Sequence, residues 1–178
     1  MSTAEIGEIL AKCEMEPKLH LVRDVVRVVA NTGIRNSELA SLRMSDVDIT
    51  GGWMAIKGRK VRFTRKVPLR PKTIAAIVSL HSRNPESPFV LGEFPTLRMR
   101  IVIASLRSVW PRHSHGRFLL LSVRMSFTYR LRHAGIPEAV VRCYPVRPSL
   151  TAQFYMSPTP EERLDTVRRN LDRLLEEL

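Results

Sequence analysis

A chain of 178 residues suits one domain, or one domain with a tail, and a hydrophobic content of 44% supports a packed core and excludes a disordered polymer. Lys and Arg number 29 against 17 Asp and Glu, a formal net charge of +12, so the expected partner is a polyanion: DNA, RNA or an acidic membrane surface. No apolar run approaches the ~20 residues of a spanning helix. The acidic N-terminus lacks a signal-peptide core. Cys13 and Cys143 have neither metal-ligand nor redox spacing, so a reducing cytoplasm is the expected compartment.

Ser2 and Glu5 form a potential capping box, opening a helix with Ile6, Ile9 and Leu10 on one side. Leu21 to Ala30 is nearly all apolar and rich in Val. Periodicity does not separate helix from strand there, but the neighbouring residues favour a buried helix stopping near Gly33. A second helix starts around Asn36 or Ser37 and runs to Leu42. From Trp53 to Leu69 the texture alternates, with basic Gly58-Arg59-Lys60 in the middle, which predicts two or three short strands around tight turns.

Helical spacing returns from Pro71 to His81, and Asn84-Pro85 and Ser87-Pro88 mark a loop. Leu97 to Trp110 is the next expected helix, followed by a basic loop with His113 and His115. A further helix spans Leu119 to Ala134 and closes at Gly135-Ile136-Pro137, and a short one follows over Glu138 to Cys143. Glu161 to Leu178 carries an amphipathic stripe of Leu164, Val167, Leu171, Leu174 and Leu178. The expected fold class is mainly α with a small antiparallel β-sheet. The expected organisation is one domain over residues 1–157 and a C-terminal amphipathic helix over 158–178.

Four features stand in one order. The first is Thr32-Gly33-Ile34-Arg35-Asn36-Ser37-Glu38-Leu39, leading to Leu42 and Ser45-Asp46-Val47-Asp48. The second is the basic hairpin ending in Val67-Pro68-Leu69, the third Arg124 in a helix closed by Gly135, and the fourth Tyr155 in Thr151-Ala152-Gln153-Phe154-Tyr155. This series resembles the catalytic domain of tyrosine recombinases and phage integrases, over about Ile6 to Ser157. The first block is the specific one; the order and spacing of all four strengthen it.

The resemblance implies attack on a DNA phosphodiester. Negative charge builds on the phosphate oxygens in the transition state, and fixed guanidinium forks stabilise it. Arg35 and Arg124 would form that pair. Tyr155 would be the nucleophile, holding DNA through a phosphotyrosyl bond that conserves the energy of the broken linkage, so that rejoining needs no cofactor, neither ATP nor metal. A hairpin lysine would protonate the leaving 5′ oxygen. Counting back from Pro68 selects Lys60, and the Lys-Gly pair selects Lys57; both stay open, with Lys60 preferred. Glu38 is expected to brace Arg35. Arg59, Arg62, Arg65 and Lys66 complete a basic hairpin expected to contact phosphates of double-stranded DNA.

The chain departs from the family's pattern in three places. The position three before Arg124, usually His, is Leu121, and the position about nine before Tyr155, usually His or Trp, is Val146. Neither side chain can exchange a proton. The family's usual N-terminal DNA-clasping domain does not precede the block, which begins almost at Met1, so a truncated relative or a piece of a longer protein is expected. Three readings follow: a DNA strand-transferase, a relative that binds DNA without cutting it, or a basic RNA-binding or structural protein. The C-terminal helix is expected either to pack on its own domain or to dock on a neighbouring protomer, giving self-association on DNA.

Overall fold

In a computed structural model of the chain, the described residues are 1–57, 64–110, 116–141 and 164–168, with 116–118 and 139 described in backbone only. Helix α1 (Thr3–Met15) opens with the expected capping box: the Glu5 N–H donates to Ser2 Oγ at 3.2 Å, and the Ser2 N–H donates to the Glu5 carboxylate at 2.7 Å. Its buried side is Ile6, Ile9, Leu10 and Cys13.

Helix α2 (His20–Thr32) is the hub. The valine-rich run that periodicity left undecided is helical, with Val22, Val25, Val26, Val28, Val29 and Ala30 all buried. Helices α1, α4 (Pro71–Ser82), α5 (Pro95–Val109) and α6 (Gly116–His133) pack around it. His20, Arg23, Arg27 and Asn31 recur at helical spacing on its half-exposed side, opposite the buried valines. One charge is buried within it: Asp24 accepts from Arg23 Nε at 2.7 Å, Ser79 Oγ at 2.7 Å and Arg83 Nη2 at 3.1 Å, tying α2 to α4.

Helix α2 ends at Gly33 in the left-handed conformation (φ 62°), its N–H donating to Val29 O at 3.0 Å. A Cβ at this glycine would sit 2.7 Å from Phe127 Cδ1 on α6. The turn therefore needs glycine twice, for its backbone angle and for the close approach of α6. Three residues later α3 (Asn36–Ser41) begins.

The sheet has three antiparallel strands in the order β1 (Val47–Asp48), β2 (Trp53–Lys57), β3 (Thr64–Pro68). Ile56 pairs with Arg65 and Met54 with Val67, and all four are buried. The strand period of two thus places Arg65 on the inward face, beside Val67. Arg59, Lys60 and Arg62 lie outside the described residues.

In the tail, residues 164–168 form a helical turn packed on their own chain. Leu164 is 6% exposed, Val167 fully buried in the common core, and Arg168 donates to the Gly51 carbonyl. Packing of Leu164 and Val167 on their own chain is one of the two arrangements expected of the stripe; Leu171, Leu174 and Leu178 lie outside the described residues. Short helix α7 (Glu138–Val141) follows Gly135 as expected. No helix among the described residues is long and apolar enough to cross a membrane.

Candidate active site

The left-handed turn at Gly33 delivers Arg35 to the N-cap of α3 in an extended conformation (φ −78°, ψ 152°). Glu38, one turn on, reaches back to it. The Arg35 N–H donates to Glu38 Oε2 at 2.9 Å and Arg35 Nη1 donates to Oε1 at 2.7 Å. From the other side, Arg65 donates Nη1 to Oε1 at 3.0 Å and Nη2 to Oε2 at 2.6 Å. Four N–H groups thus hold one carboxylate that is 7% exposed. Burial alone would push the Glu38 carboxyl up, but the Arg65 and Arg35 hydrogen bonds and charges outweigh it and hold the pKa down at about 2. The bracing role expected of Glu38 is the role its geometry gives it.

Arg65 needs correcting. The sequence placed it with the exposed hairpin cations. It is 5% exposed, and its guanidinium is committed to Glu38. It braces the brace, and a phosphate could not reach it without breaking that pair.

Arg124 arrives from α6. Its Nε donates to the Gly33 carbonyl at 2.9 Å, so the turn that places Arg35 also orients Arg124. Burial, then the Arg35 charge, lower its pKa to about 10. The guanidiniums of Arg35 and Arg65 hold a single carboxylate, and that of Arg124 stands within electrostatic reach of it. The excess positive charge is half-buried, where Coulomb energy is large, and an incoming anion relieves it. The neighbouring arginines of α6 are used differently: buried Arg130 donates to the Ala30 carbonyl, and Arg132 pairs with Glu138 at 2.9 Å.

Arg35 and Arg124 line one open cleft of about 670 Å³ between α3, α5 and α6. Leu121, 45% exposed, lines it too, where the pattern places a histidine. Thr96 and Arg100 of α5 form part of its wall; the sequence reading passed over both, although their spacing with Ile103 (i, i+4, i+7) marks one face of a helix.

The other expected site residues divide. Exposed Lys57 ends β2 with its Nζ 2.5 Å from Asp46 Oδ1. It borders a smaller cavity of about 230 Å³ that Glu38, Arg43 and Asp46 also line. Lys66 lies over the Trp53 ring, 4.5 Å from its centroid. Arg59, Lys60, Arg62, His113, His115, Val146 and Tyr155 lie outside the described residues.

The phage integrase family model matches residues 1–143 of the chain. Over 172 residues the chain is 28% identical to tyrosine recombinase XerA of Pyrococcus furiosus, covering 91% of this chain and 59% of that protein. Its fold is similar to the crystal structure of XerA recombinase, with a TM-score of 0.66 at 15% identity, covering 95% of this chain and 64% of that one. It is also similar to the Tn1549 transposon integrase solved with transposon right-end DNA, with a TM-score of 0.63 at 15% identity, covering 98% and 65%. The chain spans less than two thirds of the length of the relatives it matches.

Proposed function

Because the chain belongs to the phage integrase family, we propose that it handles double-stranded DNA by cleaving and rejoining one phosphodiester at a time through Tyr155. The observation that carries the proposal is the shared cleft: Arg35 and Arg124, far apart in the chain, both line it and are both anchored at the Gly33–Glu38 turn. Guanidinium forks at that place suit the non-bridging oxygens of a phosphate as charge gathers on them. The Tyr155 hydroxyl gives up its proton to water as it attacks phosphorus, the bond to the 5′ oxygen breaks, and that oxygen takes a proton from Lys60 or Lys57. The phosphotyrosyl bond keeps the linkage energy, and attack by a 5′ hydroxyl reverses the step. Lys57 must leave Asp46 to serve as acid. Arg59 and Arg62, between β2 and β3 in the sequence, would hold the flanking phosphates.

A second reading has a specific observation behind it. Leu121 occupies the cleft wall where a proton-transferring side chain is expected, and loss of positioned acid–base groups costs on the order of 10²–10⁴ in rate. A protein that binds DNA and rarely cuts it fits that wall.

A pool of nicked duplexes of randomised sequence separates the two, because a nick lets the cleaved end diffuse away and traps the adduct. Strand transfer gives a covalent protein–DNA species that survives denaturation and vanishes in Tyr155→Phe. Binding with no adduct at long times favours the second reading, and an adduct that persists in Tyr155→Phe removes Tyr155 from the mechanism.

A further inference from the structure

We propose that Arg100 is a further phosphate-binding residue of the cleft, facing the same phosphodiester backbone as Arg35 and Arg124; this rests on the reading that the cleft receives DNA.

Helix α5 buries Met99, Val102 and Leu106 against the core. The adjoining face carries Thr96, Arg100 and Ile103, and all three line the cleft. Three arginines and no acid stand among the described lining residues, with Asn36, Ser37, Ser41 and Thr96 as neutral hydrogen-bonding neighbours. The three arginines differ in what holds them. Arg35 is bonded to Glu38 and Arg124 to the Gly33 carbonyl. Arg100 is exposed and, among the described residues, has no hydrogen-bond or ion-pair partner in the protein. An arginine on a helix wall, lining a positively charged cleft with no acid among its described lining residues, fits an anion supplied from outside.

The chemistry also fits what the opposite wall lacks. Leu121 offers no donor. A guanidinium contributes charge and paired N–H donors but no readily transferable proton. Arg100 would therefore restore binding of the phosphate oxygens without restoring acid–base catalysis. The proposal thus concerns affinity and charge stabilisation, and it leaves the rate of proton transfer to other groups.

The test is the salt dependence of duplex binding by the full chain, on one A·T-rich and one G·C-rich duplex. Each phosphate contact contributes ~0.9 to the slope of log affinity against log salt. Arg100→Gln is expected to lower the slope by about that amount on both duplexes and to weaken low-salt binding about tenfold, as for one charged hydrogen-bonding group. Arg100→Lys is expected to keep the slope. An unchanged slope in Arg100→Gln overturns the proposal. So does a loss confined to one duplex, which would mean base reading. Arg35→Ala and Arg124→Ala are measured alongside. If they lower the slope and Arg100→Gln does not, only the Arg100 assignment falls; if none of the three does, the DNA reading of the cleft falls with it.

Discussion

At the scale of single residues, Glu38 is the pivot. Replacing it by Gln leaves Arg35 and Arg65 on a neutral amide, and breaking a buried charge pair of this kind costs about 3–5 kcal/mol. Urea unfolding measures that loss. The pH dependence has a definite sign. The folded pKa of about 2 lies below the ordinary 4.5, so the stabilisation is present above 4.5 and is lost as pH falls from there towards 2. Wild-type stability should fall over that range, and in Glu38→Gln that part of the decline should be absent. Arg65→Gln removes both the charge and the paired fork. We expect a clear stability loss with the duplex salt slope unchanged; a slope lowered by a full phosphate would restore Arg65 to the DNA surface. Arg35, Glu38 and Arg124 were legible in the sequence because they belong to, or stand at fixed order from, a specific block. Arg65 was not, because a cation in a basic run suggests solvent. The signal was its spacing of two from buried Val67, which puts it on the inward strand face.

At the scale of elements, the α2–α3 turn does the positioning. It sets Arg35 through the cap of α3 and Arg124 through the Gly33 carbonyl. Gly33→Ala forces a side chain into a left-handed backbone, at about 1–3 kcal/mol, and drives its methyl against Phe127. The melting temperature should drop, and duplex affinity should fall beyond what the remaining folded fraction explains, because α6 must retreat from the turn. Full affinity in the folded fraction would show that Arg124 does not depend on this contact. The stop at Gly33 and the capping box of α1 were readable from residue type, since backbone geometry restricts both. The helical state of the valine run was readable only from its neighbours, because β-branched Val favours strands by residue type, although Arg23, Arg27 and Asn31 recur at helical spacing.

At the scale of the whole molecule, the amphipathic stripe of the tail left its own domain and a neighbouring protomer both open, and Leu164 and Val167 are covered by their own chain. Sequence shows that a stripe must be buried and says nothing of which copy buries it. Val167→Ala should therefore cost about 1–3 kcal/mol in thermal unfolding of the isolated protein, the range of a lost core side chain. A stripe reserved for a neighbour predicts no cost at low concentration. The fold class was legible at this scale, since the change from helical to alternating texture at Trp53 locates β2 and β3; β1, at Val47–Asp48, lies ahead of that change.

The central claim is that Arg35 and Arg124 act on one phosphate as a single clamp. Its most direct test is a double-mutant cycle on duplex affinity, with Arg35→Ala, Arg124→Ala and the pair measured at one fixed salt concentration. A shared clamp predicts strong coupling: each single change loses most of what the double change loses. Losses that add would place the two arginines on separate surfaces and contradict the account.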